Sequence, residues 1–174
     1  MYEKTVRASF WRSDGSGATC GLCPHGCVLP EGGVGLCRVR KNVSGVLYAE
    51  SYGEVSALAL DPIEKKPLSR FKPGSLVLSA GSRGCNFSCR FCQNWRISQA
   101  DPAVRIFRPE QLVSLALAKV KEGNIGLAYT YSEPAVWYEF VKDCALLAKE
   151  AGLDNILVSN GYINPGPLQE LAPL

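Results

Sequence analysis

Three short apolar runs alternating with helical repeats constrain this chain more than anything else in it. "SLVLSA" (75–80) is preceded by Pro73 and Gly74 and followed by Gly81, which predicts a buried strand. "IGLAYTY" (125–131) and "NILVSN" (155–160) predict two more. Between the first two lies "RPEQLVSLALAKVKEG" (108–123), a helix with Pro109 at its first position and Gly123 as its stop. "PAVWYEFVKDCALLAKEAG" (134–152) is a second helix, with Val136, Phe140, Val141, Cys144, Leu147 and Ala148 on one face. Cys144 therefore reads as a small core residue, and Trp137, Tyr138 and Phe140 as packing. A third helix begins at "PGPLQELAPL" (165–174). Strands and helices alternating over short connections predict a parallel sheet of right-handed βαβ units. The third strand is expected to be an unpaired edge, and parallel sheets are ordinarily wider, so the sequence reads as part of a larger α/β unit or one completed by a partner.

The character of the chain changes near Pro73. Residues 1–72 are rich in glycine and turn residues, with β-like runs such as "VLYAE" and "VSALAL", and are expected to form a cysteine-rich module with a connecting segment. Residues 73–174 carry the β/α units. A formal net charge of +3 is too small to argue for nucleic acid or an anionic membrane surface. Arg38, Arg40 and Lys41, and "EKK" at 64–66, read as solvated surface, with no interleaved aromatics of the kind that bind RNA. The first residues lack the apolar core of a signal peptide and no run approaches a membrane span, which places the expected location in the cytoplasm.

Cysteine usage is the anomaly. Seven of the eight fall in two groups: Cys20, Cys23, Cys27 and Cys37, then Cys85, Cys89 and Cys92. In a reducing compartment such clusters point to metal ligands before disulfides. The first group has the spacing C-x2-C-x3-C-x9-C, and four thiolates complete a tetrahedral zinc shell or the ligand set of an iron–sulfur cube equally well. His25, the only histidine, reads as a loop residue beside them. The second group, C-x3-C-x2-C, supplies three thiolates from one loop at the end of the first predicted strand, where α/β folds place ligands. Three thiolates hold three corners of a cube and leave one iron open to a small molecule. A non-catalytic zinc or iron–sulfur interaction module is the alternative.

"GCNFSCRFCQNW", with an aromatic just before the last cysteine, resembles the signature of the radical S-adenosylmethionine (SAM) superfamily. "DPIEKKPLSRFKPGS", "TYSEPAVWYEF" and "SNGYINPGPL" extend the resemblance to the radical SAM enzymes of the AmmeMemoRadiSam system, relatives of pyruvate formate-lyase activating enzymes. That resemblance implies the N-terminal half of a partial (β/α)6 TIM-like barrel. It implies a [4Fe-4S] cluster on Cys85, Cys89 and Cys92, whose open iron takes SAM, with Phe91 near the adenine. "YSEP" lies where the superfamily has GGEP, so Tyr131, Ser132 and Glu133 are implied at the methionyl ammonium, with Tyr131 and Ser132 in place of two glycines. Ser159 and Asn160, at the end of the third strand, would face the same mouth. The implied activity is reductive cleavage of SAM to a 5′-deoxyadenosyl radical that abstracts hydrogen from a substrate, fed by an electron donor such as flavodoxin or ferredoxin. A protein substrate, as for a glycyl-radical activase, is one form this would take.

Overall fold

A computed structural model describes residues 6–13, 15 and 17–174. In chain order the strands are β1 (Val6–Arg7), β2 (Trp11–Ser13), β3 (Gly17–Cys20), β4 (Val28–Pro30), β5 (Arg40–Val43), β6 (Val46–Ala49), β7 (Glu54–Val55), β8 (Ala57–Pro62), β9 (Leu76–Gly81), β10 (Arg105–Ile106), β11 (Asn124–Tyr129) and β12 (Asp154–Leu157). The α-helices are α1 (Trp95–Ser98), α2 (Pro109–Ala118), α3 (Tyr138–Glu150) and α4 (Pro165–Leu171). The fold is mixed α/β with several sheets.

The main sheet has the order β12-β11-β9-β8. β9, β11 and β12 are parallel neighbours, as the alternation predicts, and β12 pairs only with β11 among the described residues. β8 is a fourth strand, antiparallel to β9 along its whole length and drawn from the segment before residue 73. The register of β9 against β11 shifts between Asn124 and Leu127. The Asn124 side chain fills the break, accepting from Leu78 N at 2.7 Å and donating to Ala116 O at 2.8 Å.

Helices α2 and α3 cover one face of this sheet. Leu112, Val113 and Ala116 of α2, and Phe140, Val141, Cys144 and Ala148 of α3, are buried with Leu78, Ala80, Leu127 and Tyr129. Burying one such large side chain contributes about 1.5–3 kcal/mol. Cys144 is fully buried, and burial pushes its thiol well up, with the Asp143 and Glu110 carboxylates adding to the effect. Trp137 stacks on Phe140 with ring centroids 4.6 Å apart, which is packing. The opposite face carries a smaller cluster of Ile63, Val77, Ala128 and Ile156. The small antiparallel sheets β2-β3-β4 and β1-β6-β5 make up most of the N-terminal segment. None of the eight cysteines is in a disulfide.

Two readings of charge need correction. Arg40 is 1% exposed and ion-paired with Glu139 of α3. Lys66 is also buried, its Nζ 2.8 Å from Asp61, whereas Lys65 stays in solvent. A buried charge demands a partner, and both partners come from distant or folded-back segments that a local run of basic residues does not reveal. The third strand ends at Leu157, three residues before the predicted end, because Ser159 and the Asn160 amide turn toward Glu133.

Burial raises the affinity of Asp61 for a proton, but hydrogen bonds from Lys66, Tyr131 and Lys65 outweigh it and hold the carboxyl well below the usual range. Asp61→Asn leaves the Lys66 ammonium buried without its counter-charge and is expected to lower unfolding free energy by about 3–5 kcal/mol at neutral pH. A depressed carboxyl contributes fully above its unfolded pKa, and the contribution falls away as pH drops toward the folded one. In urea titrations the gap between parent and variant should therefore hold from pH 7 to about 5 and narrow only below about pH 4. Closure of the gap between pH 7 and 5 would contradict this assignment.

Candidate functional site

Because β9, β11 and β12 are parallel, their C-terminal ends meet at one edge of the sheet, and the three-cysteine loop leaves from there. Gly81 ends β9 where a Cβ would lie 2.5 Å from Thr130 O, so the two strand exits are pressed together at a glycine. Cys85 and Cys92 are half-buried and Cys89 is exposed. Cys85 Sγ accepts from Phe87 N at 3.3 Å, and Cys92 Sγ lies 3.2 Å from Ser98 Oγ on α1. Burial raises the Cys85 thiol, the Phe87 N–H opposes it, and the nearby Glu133 carboxylate raises it further. Phe91 projects from the loop at 89% exposure.

Glu133 connects the second and third strand exits. It is buried, and Oε1 accepts from Ala135 N at 2.9 Å and Ser159 Oγ at 2.7 Å. Oε2 accepts from Asn160 N at 2.8 Å. Asn160 then reaches the cysteine loop, its Nδ2 standing 2.9 Å from Asn86 Oδ1 and 3.9 Å from Cys85 Sγ. Glu133, Ser159, Asn160 and Cys85 are thus neighbours, with the carboxylate engaged by the protein. Tyr131 has a left-handed backbone, φ +67°. Its hydroxyl donates to Asp61, and its ring lies 4.9 Å from Lys66 Nζ. Ser132 is half-buried, its N–H donating to Thr130 O at 2.8 Å.

The N-terminal cysteines abut this loop. Gly84, at φ +84°, leaves room for the Cys37 carbonyl and the Val39 side chain, which a Cβ would meet at 2.5 and 2.6 Å. Arg83 binds Glu54 at 2.6 Å and the Arg38 carbonyl at 3.2 Å, and Arg38 donates to the Ser98 carbonyl. His25 Nε2 is 2.8 Å from Asn86 O; a carbonyl only accepts, so Nε2 carries the proton. Burial pushes the Cys37 thiol up to about 11 and raises that of Cys23. Metal binding at either thiol must therefore release a proton. Among the described residues no three His, Cys, Asp or Glu side chains form a ready-made metal shell, so a metal or cluster has to draw the thiols inward. The donor set itself, clustered thiols with hydrogen-bond donors on Cys85 and Cys23, suits such a group.

Local spacing exposes the cysteines but not Asn86, Asp61 or Arg40, whose places depend on tertiary contacts. A surface cleft of about 580 Å³ beside Tyr52, Arg108 and Asp143 shares no residue with either cysteine group.

A parallel β/α sheet with three cysteines on the loop after its first parallel strand defines a class, and the comparisons agree. Residues 80–174 match the family model of the radical SAM superfamily. The chain belongs to the radical SAM superfamily. It is also similar to an uncharacterized protein of Methanocaldococcus jannaschii, 45% identical over 161 residues, which are 91% of this chain and 47% of that protein. The chain thus spans about half the length of the curated relative it matches. The superfamily in general uses a [4Fe-4S] cluster and SAM. No helix among the described residues is long and apolar enough to cross a membrane.

Glu133→Ala removes three acceptor contacts and should cost about 1–3 kcal/mol. Hydrogen exchange at the Asn160 amide is expected to speed up while the β11 ladder stays protected. Unchanged protection at Asn160 would show that Glu133 does not hold the third strand exit.

Proposed function

We propose that this chain is the first half of a radical SAM enzyme, with Cys85, Cys89 and Cys92 as the three protein ligands of a [4Fe-4S] cluster. One observation carries the reading: the three-cysteine loop leaves the C-terminal end of β9 and touches the exit of β12 through Asn160 and Cys85. In this reading β9, β11 and β12 are the first three strands of a (β/α)6 partial barrel, and residues 73–174 are the radical SAM core. Residues 1–72 form a cysteine-rich module whose own thiols are a separate metal centre, zinc or a second cluster. The full activity, substrate and electron donor belong to the longer protein.

A [4Fe-4S] cluster held by Cys85, Cys89 and Cys92 would supply the one-electron reduction of SAM on which the superfamily's radical chemistry depends. The residues of this chain bind and orient. The backbone at Tyr131 and Ser132, just after β11, offers carbonyl acceptors to the methionyl ammonium. Glu133 fixes those acceptors by tying their loop to Ser159 and Asn160. Its negative charge also lies where an ammonium is favoured. Phe91, free of the core, offers a face or backbone edge to the adenine. The conformation of Tyr131 is fixed from behind by Asp61 and Lys66, so the acceptors need no reorganisation when the ligand arrives.

Anaerobic reconstitution tests the reading. About four irons and four sulfides should bind at the loop, and Cys89→Ala should lose them. Adding SAM should alter the electron paramagnetic resonance spectrum of the reduced cluster, since an open iron changes its ligands. A bound cluster whose spectrum ignores SAM would favour a closed, non-catalytic site, and sulfide-free protein would remove the electron source altogether.

A further inference from the structure

Cys20 at the end of β3, Cys23 and Cys27 in its connection to β4, and Cys37 before β5 line one cavity, together with Arg40 and Asn86. The space inside is about 10 Å³. That is room for roughly one water-sized particle. A single ion fits that space.

One feature of the cavity calls for an anionic centre: Arg40, whose Nη2 is engaged by Glu139 and whose Nη1 donates to Ser9 O at 2.9 Å and stands 4.0 Å from Cys20 Sγ. Its Nε is buried with no partner among the described residues. Such an orphaned donor ordinarily costs about 1–3 kcal/mol. Four thiolates around a dication carry excess negative charge, which the Arg40 guanidinium meets.

The structure assigns Cys20, Cys23, Cys27 and Cys37 as the ligands of one thiophilic divalent ion of the zinc class, with Arg40 as the buried cation beside it and Asn86 as the brace from that centre to the three-cysteine loop. Asn86 follows Cys85 directly and is itself buried. Its side chain lines the same cavity as Cys23, donates to Tyr162 O at 2.8 Å and accepts from Asn160 at 2.9 Å. Its carbonyl accepts from His25, in the turn between two of the ligands. Closing the thiols on an ion fixes Cys23 and the His25 turn, and through them the backbone of residues 84–92. The deduction deepens the reading of the N-terminal thiols as a metal centre and stands whether or not the loop carries a cluster.

The test uses the whole chain, purified anaerobically, beside its Cys85→Ala/Cys89→Ala/Cys92→Ala variant and a Cys23→Ser/Cys37→Ser variant. Zinc, iron and acid-labile sulfide are counted per chain. About one zinc should remain in the loop variant without sulfide, and the second variant should lose it. Cobalt(II) put in place of that zinc should give the intense visible bands of a tetrahedral thiolate site at about one equivalent. Iron with sulfide persisting in the loop variant would replace the ion by a second cluster, and thiols free of metal even after incubation with zinc would overturn the site. For the brace, Asn86→Ala should keep its zinc while amide exchange over residues 84–92 rises by about tenfold or more, with β9 and β11 unchanged. Exchange in that loop equal to the parent protein would overturn the brace, while the zinc count decides the ion independently. Loss of the radical SAM reading would show only in sulfide and the response to SAM, so the two failures are distinguishable.

Discussion

The loop that carries Cys85, Cys89 and Cys92 has almost no secondary structure of its own, and its position depends on backbone contact with the N-terminal segment. At Gly84 the chain passes so close to the Cys37 carbonyl and Val39 that no side chain fits. On either side of that contact, Arg83 reaches back to Glu54 and the Arg38 carbonyl, while Arg38 reaches forward to Ser98. Only the four-residue α1 follows the cysteines, too short to be stable by itself. Remove the N-terminal module and the loop has lost most of what defines it. The two cysteine groups, remote in sequence, therefore form parts of one construction.

A second tie acts from the other side. Parallel strands converge at their C-terminal ends, but the loops that follow are free to splay. Glu133 prevents this by accepting from its own turn and from the exit of β12 at once. Asn160, held by that contact, passes the restraint to Asn86 and so to the cysteine loop. Three strand exits are thereby locked together through side chains that could equally have faced solvent.

The parts of this arrangement that were legible in the sequence are those written in local spacing. The α3 periodicity placed Cys144 and Phe140 in the core, and Pro–Gly punctuation located β9, β11 and both long helices. The cysteine spacing marked the loop directly. What was hidden depends on partners far along the chain. "VSALAL" contains a strand, but nothing in it says that β8 lies antiparallel against β9. Arg40 looks like any basic surface residue until Glu139, 99 positions away, is packed against it. Asn86 sits unremarked among the cysteines because its three distant partners, His25, Asn160 and Tyr162, meet only in the folded chain.

The same long-range logic explains the turn at "YSEP". The residue after Thr130 must take a left-handed backbone, which glycine adopts without cost and which costs another residue on the order of 1–2 kcal/mol. Tyr131 occupies it at φ +67°. The cost is offset by the hydroxyl contact with Asp61 and by Lys66 over the ring. Burial and the Asp61 carboxylate together push the Tyr131 hydroxyl up to about 12, so it stays a donor throughout the neutral range. Asp61 lies in β8, the strand that the alternation of β and α did not foresee. The antiparallel strand thus has a function beyond widening the sheet. It carries the carboxylate that holds Tyr131 in a left-handed turn, one fixed from behind.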